Sequence, residues 1–253
     1  MSAPEVATVA DVIARLHEIE DAAGASDGVA CFARIYRQVT EGVNADLAEQ
    51  RFADGRFLEL LDVRFASLFF AALDAHERDP ASAPPAWRPL FEERSHQGIT
   101  HLQFALAGVN AHINRDLPVA LVTTCHELDL DLHTSSPEHR DFERVNLLLA
   151  QVEQQMKAMY LSGPAAGVDR LLHRFHRLDD ALAMFNVAKA RDAAWANGRA
   201  LWALRSESKF AAEFLRALDH MVGLANRGLL IPAEALLHRP EETAGTDPAS
   251  GKA

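Results

Sequence analysis

The residues able to do chemistry concentrate between Gln97 and Leu132, in the run QGITHLQFALAGVNAHINRDLPVALVTTCHELDLDL. His112 and Asp116 are four apart, so a continuing helix sets them side by side. His-x-x-x-Asp on a helix is a two-ligand clip for a divalent metal such as zinc, with neutral imidazole and carboxylate as donors. At ~100° per residue Gly108 and His112 fall within ~20° of His101, which places both histidines on one face. His101 or His126 would complete the metal shell, and a bound water would then be the nucleophile. In a metal-free version His112 is the general base, with His101 and Asp116 beside it. Asn110, Asn114 or Arg199 would then position the substrate.

Each of these residues also has a purely structural reading. Pro118 cannot continue an established helix without a kink and suits the first turn of a new one. Asn114-Arg115-Asp116-Leu117-Pro118 therefore reads as a corner between two helices, with Asn114 as the stop and Asp116 as the next N-cap. A buried Asn110 must satisfy both halves of its amide, which an interhelical tie would do. His112 sits between apolar turns, as a satisfied core histidine would. Cys125 beside His126 is not a nucleophile–base pair, since neighbours on a helix point ~100° apart.

Two further sets stand outside that stretch. Asp192, Trp195, Arg199, Trp202 and Ser206 follow 3-4-3-4 spacing, and a Trp/Arg stripe can line a ligand cavity and pair an anion. Trp195, Arg199 and Trp202 join Asn110 and Asn114 as candidate substrate-binding residues. His173, His176, Asp179 and Asp180 form a second metal-like cluster, but Arg174 and Arg177 among them suit a solvated, ion-paired face. Asp141, Arg144 and Asn146 suit surface or interhelical contacts. Phosphate loops, serine-hydrolase elbows and zinc-protease motifs are not found in the sequence.

The elements that must position these groups are helices. Apolar residues recur at three and four over Val6–Ala23, Val29–Val43, Ser135 to about Leu161, Val168–Phe175, Leu178–Leu204 and Phe210–Leu224. Phe57–Arg78 is apolar almost all round, so that helix is expected to be buried. Asp79–Pro89 holds four prolines and reads as a loop that Trp87 packs down. The expectation is an all-α fold, a single bundle of roughly eight to ten helices. It would span residues 1–238, with a Pro-, Glu-, Thr- and Gly-rich tail over 239–253.

Composition narrows the function. A net charge of −11, from 36 acids and 25 bases, leaves no basic face for nucleic acid or an anionic membrane. No apolar run is long enough to span a bilayer, and the N-terminal stretch lacks the pattern of a signal peptide. Cys31 and Cys125, without CxxC spacing, suggest buried thiols in a reducing compartment. A cytoplasmic protein acting on a small molecule is the expectation, with oligomeric state left open.

The run FALAGVNAHINRDLPVAL, Phe104–Leu121, resembles the hallmark of a bacterial domain-of-unknown-function family, number 5995. DGVACFARIYRQVT near the start, PAWRPLF, DFERVN at Asp141–Asn146 and the AWANGRALW helix match it too. The resemblance covers roughly Asp27–Leu224 and implies one helical domain, with no established activity. A looser likeness links His112–Asp116 to the helical zinc phospholipase C and single-strand nuclease group, which uses such pairs on bundle helices. Those proteins are secreted and use a free N-terminal Trp as a ligand, whereas this chain begins Met-Ser. Its other such pairs, His17–Asp21 and His176–Asp180, lie in charged surroundings.

Three functions remain in play. The first is an enzyme with a polar pocket, working by metal-assisted hydrolysis or histidine acid–base chemistry. The second is a non-catalytic binding module for a small molecule or protein. In the third, the histidines and asparagines are interhelical glue alone.

Overall fold

Short polar side chains set the helix starts. Thr8 and Asp11 form a reciprocal capping box at the head of α1, Val9–Ala23. The Asp27 carboxylate accepts from the Val29 and Ala30 amides to begin α2, Gly28–Ala48, and is held in place by Arg94 Nε at 2.6 Å. Asp54 caps α3, Gly55–Arg78, through the Phe57 amide. Two further amides at that start, of Ala53 and Asp54, donate to Asp141 at 2.9 and 2.6 Å. Asp141 belongs to α7, Pro137–Leu161, so its role is the interhelical contact the sequence suggested. The remaining helices are α4 (Arg88–Glu93), α5 (His101–Ala111), α6 (Leu117–Leu128), α8 (Val187–Ala203) and α9 (Ser208–Leu229). This computed structural model describes residues 6–161 and 186–232, and only the backbone of 152–161. The expected Val168–Phe175 helix, the start of Leu178–Leu204, the His173/His176/Asp179/Asp180 cluster and the 239–253 tail lie outside the described residues. Among the described residues the fold is an all-α bundle without strands, and no helix is long and apolar enough to cross a membrane.

The expected corner at Asn114–Pro118 is not there. α5 and α6 form one continuous helical run joined by a π-helical turn, His112–Asp116. Asp116 has helical φ and ψ of −83° and −39° and makes no capping hydrogen bond, which corrects its reading as an N-cap. Pro118 explains the widened turn. It has no N–H to give, and its ring would crowd the carbonyl of Asn114 four residues back. The Leu117 amide instead bonds the carbonyl of His112, five residues back. Single π turns inside α-helices occur frequently at functional sites.

The other helices pack around this run. α2 and α9 lie against α5, α3 and α8 against α6, and α1 covers the outer side of α2. Two large clusters of buried apolar residues result. One joins α1, α2, α3 and α5 around Phe32, Phe69 and Trp87. The other joins α3, α6, α7 and α8 around Phe57, Leu121, Phe142 and Trp195. Phe65 and Val109 touch both clusters, at the level of the π turn. The expected burial of Trp87 and of both cysteines is observed.

α2 meets α5 closely because glycine stands at the crossing. A Cβ on Gly108 would lie 2.6 Å from Phe32 Cβ, well inside contact distance. Gly108→Ala is therefore expected to destabilise the protein by about 1–3 kcal/mol through overpacking. This should outweigh the gain of roughly 1 kcal/mol in helix propensity that alanine brings. A lower urea midpoint in equilibrium unfolding checks it, and an unchanged or raised midpoint would contradict the packing.

Candidate functional site

Asp116 is fully buried, and its carboxylate collects donors from two elements. Oδ2 accepts from the Trp87 indole N–H at 2.9 Å, and Oδ1 accepts from Arg115 Nη1 at 2.7 Å. Oδ2 also faces His112 Nδ1 at 3.2 Å. A carboxylate is an acceptor, so Nδ1 carries the imidazole proton and Nε2 keeps its lone pair. The π turn supplies this pairing, since both residues lie within it. Phe65 stacks flat on the imidazole, with centroids 3.4 Å apart and planes 9° apart. Tyr36 approaches at 4.4 Å, edge-on. Burial depresses the His112 pKa against the opposing pull of Asp116, so the neutral base is the favoured form.

His112 stands on the wall of a cavity of about 120 Å³ between the two core clusters. The wall is mostly apolar, from Phe32, Leu61, Leu106, Val109 and Leu117 among others. The expectation is a polar pocket, whereas this one has an apolar body with a few polar groups set into it. Tyr36, Asp62 and Arg191 are those groups beside His112. Three buried polar atoms on this wall lack a hydrogen-bond partner: His112 Nε2, the Tyr36 hydroxyl and Asp62 Oδ2. Buried polar atoms are paired in most proteins, so three orphans around one cavity call for an explanation. Burial pushes the Asp62 carboxyl up to about 7. Burial first, then the carboxylates of Asp62 and Asp116, push the Tyr36 phenol up as well, against the smaller opposing pull of the neighbouring Thr40 hydroxyl. At neutral pH the site thus offers a bare imidazole nitrogen, a phenol proton and a carboxyl divided between its acid and base forms.

The other sequence candidates are placed elsewhere. His101 is exposed at the first residue of α5, roughly 16 Å along the helix from His112 at ~1.5 Å per residue. His126 is exposed in the last turn of α6. The structure brings together only His112 and Asp116 of the four expected metal ligands. Among the described residues no group of three or more His, Cys, Asp or Glu is placed to share an ion. Asn110 and Asn114 are joined in a ladder: Asn114 Nδ2 donates to Asn110 Oδ1, and Asn110 Nδ2 to Asn226 Oδ1, both at 2.8 Å. Asn226, wholly buried on α9, donates in turn to the carbonyls of Ala86 and Ala107. This is the interhelical tie that Asn110 suggested.

Of the Trp/Arg stripe, Trp195 is buried against His139 and Phe142. Trp202 is half-buried and donates to Asp131 at 3.2 Å, and Arg199 is exposed. The buried face of α8 runs through Arg191, Ala194, Trp195, Gly198 and Leu201. The arginine facing the cavity is therefore Arg191, about two turns before the Arg199 of the stripe.

Tyr36, Asp62 and Arg191 are the site residues that sequence reasoning missed. Tyr36 hides in the apolar face of α2 and reads as core. Asp62 did carry a signal: an acid between Leu61 and Val63 in a helix apolar almost all round has no polar face to occupy. Cys31 and Cys125 are buried thiols pushed up to about 11 and about 12 by burial, which leaves them protonated and unreactive.

The model of a family of unknown function (DUF5995) matches residues 9–232, and the chain belongs to that family. No curated protein and no solved structure matches the chain.

Asp62 makes stability depend on pH in a defined direction. Its folded pKa of about 7 lies above the usual ~3.9 of the unfolded chain. Between those values the native state holds a proton that the unfolded state has released, so this residue's contribution falls as pH rises. Asp62→Asn removes the titration. The variant should gain on the parent from pH 4 to pH 7, by roughly 1.4 kcal/mol per unit of pKa difference, and the gap should level off above that. Urea unfolding at several pH values measures it, and parallel profiles for the two proteins would show that Asp62 is not buried as described.

Proposed function

We propose that this family member is an enzyme that moves a proton on carbon next to the carbonyl of a small, largely apolar molecule. The observation carrying the reading is the set of unpartnered polar atoms, His112 Nε2, Tyr36 Oη and Asp62 Oδ2, on one apolar wall. His112 Nε2 takes the α-proton, the C–H bonding pair becomes the new C=C bond, and the carbonyl π pair moves onto the oxygen. The Tyr36 hydroxyl and the protonated Asp62 carboxyl donate hydrogen bonds to that oxygen as negative charge develops on it. Nε2 then returns the proton to the same carbon or to a conjugated one, so no further reactant is consumed. Asp116 is a positioning residue: it fixes the imidazole tautomer and stabilises the imidazolium. Burial that keeps a share of one carboxyl neutral and one imidazole unprotonated is the condition under which acid and base work together near pH 7.

The histidine acid–base version is favoured over metal-assisted hydrolysis. Both oxygens of Asp116 already face donors, and His101 and His126 do not meet His112. The size of the cavity sets the scale of the molecule. An apolar cavity of roughly 150 Å³ holds one benzene, so about 120 Å³ suits a compound of about one ring. The alternative, a non-catalytic binding module, draws on the same apolar cavity and needs none of the orphaned atoms.

Exchange of α-protons with D₂O, followed by proton NMR on a panel of single-ring ketones and enones, tests the reaction. His112→Gln is expected to slow exchange by about 10²–10⁴-fold, the usual contribution of a positioned base. The rate should fall above about pH 7 as Asp62 ionises, and Asp62→Asn should remove that limb. It should fall in acid only below the ordinary imidazole range, because the His112 pKa is lowered. Ligand-induced thermal stabilisation without exchange, unchanged in His112→Gln, would leave the binding reading in its place.

A further inference from the structure

Arg191 is a buried cation on the cavity wall that the proton-transfer chemistry does not use. Its Nε donates to Asn146 Oδ1 at 2.8 Å and its Nη2 to the Phe142 carbonyl at 2.6 Å. The guanidinium lies over the Phe142 ring, 3.9 Å from the centroid. These contacts fix its plane, yet every acceptor among them is neutral. Among the described residues Arg191 makes no ion pair, and the rest of its guanidinium has no acceptor. A buried charge without a carboxylate in contact is costly, and the carboxylates of Glu143 and Asp192 favour it only from beyond ion-pair distance. Burial draws its pKa down to about 10, which still leaves it charged at neutral pH. Its neighbours on the α7–α8 wall, Leu149 and Val187, are half-buried, whereas Tyr36, Asp62 and His112 are buried.

We infer that Arg191 is the anchor for an anionic head group, and that the occupant of the cavity is a small apolar monocarboxylic acid. The carboxylate meets the guanidinium, a planar fork suited to it. The apolar body fills the remaining wall toward His112. A fixed, desolvated guanidinium with no carboxylate in contact is preorganised for an anion, so little is lost in ordering it on binding. For the enzyme reading this names the substrate class, a keto or unsaturated acid, and to that extent it rests on the proposed function. The anchor itself would equally serve a binding module.

The probes are phenylacetate, cinnamate and 2-oxocyclohexanecarboxylate, each paired with its neutral amide, measured by calorimetry and thermal shift on the full chain. The parent protein should bind each acid roughly tenfold to a hundredfold more tightly than its amide, as expected for hydrogen bonds to a charged group. Arg191→Gln should abolish that preference while leaving amide binding near its parent level. Arg191 also joins α8 to α7, so Arg191→Gln can fail to fold. Asn146→Asp then decides: it sets a carboxylate against Arg191 with the packing kept, and should cost acid binding at least tenfold while sparing the amide. Equal binding of acid and amide by the parent, or an acid preference that survives in a folded Arg191→Gln or Asn146→Asp, would overturn the inference. Acid binding that depends on Arg191, without any proton exchange, would keep the anchor and remove the proposed reaction. Exchange on neutral ketones with no preference for acids would do the reverse.

Discussion

The carboxylate of Asp116 has no contact with solvent. A charge so placed is tolerable only when donors replace the water it has lost. Those donors come from different parts of the chain. Trp87 belongs to the proline-rich segment Asp79–Pro89, and Arg115 and His112 to the π turn itself. Arg115 also faces Asp219 of α9, whose carboxylate accepts from the Ala86 amide beside Trp87. The same short stretch, Ala86-Trp87, is thus held from one side by Asp116 and from the other by Asp219 and Asn226. This network holds the loop, the π turn and the last helix to one another, and the site histidine hangs from its centre.

Two kinds of polar burial are present, and they differ in completeness. The Asn114–Asn110–Asn226 ladder runs from amide to amide and ends on two backbone carbonyls, which is the pattern of a structural tie. Around the cavity the polar groups stop short. His112 is satisfied at Nδ1 and bare at Nε2, and Tyr36 and Asp62 each keep an unpartnered oxygen. Arg191 is satisfied only by neutral acceptors. Unpartnered buried atoms also occur away from the cavity, Thr124 Oγ1 and Trp195 Nε1 among them, but three of them share the walls of this one space, and that convergence points to function there.

How far the sequence reaches follows from the range of each interaction. Helix type and most helix positions depend on periodicity and local caps, and both are written in neighbouring residues. Ser136 accepts the His139 amide at the start of α7, and α1, α3 and α7 fall close to where their apolar spacing puts them. His112 and Asp116 were visible because four residues separate them. Their partners were not, since Trp87 lies 29 residues away from Asp116. The asparagines were visible as polar residues in an apolar run, but their partner Asn226 is 116 residues from Asn110. The corner at Asn114–Pro118 was misread because proline argues for a helix start. A π turn satisfies the same missing N–H by another route, and local sequence does not separate the two. On α8 the spacing was right and the phase was off: the buried face begins at Arg191 and leaves Arg199 exposed.

The π turn also lets one helix do the work of two. A five-residue turn carries one residue more than an α-helical path needs, so everything after it is rotated by ~100° relative to an unbroken α-helix. α5 accordingly presents its contacts to α2 and α9, while α6, on the same rod, presents its own to α3 and α8. The change of phase divides the interior into two cores, and the cavity lies at their seam. Length is thus the constrained quantity between Ala111 and Leu117. The close seat of Gly198 on Leu121, with a Cβ there 3.3 Å from Leu121 Cδ1, depends on that rotation. Loss of a single residue from the turn would swing α6 away from α8 and close the seam, however conservative the residues that remained.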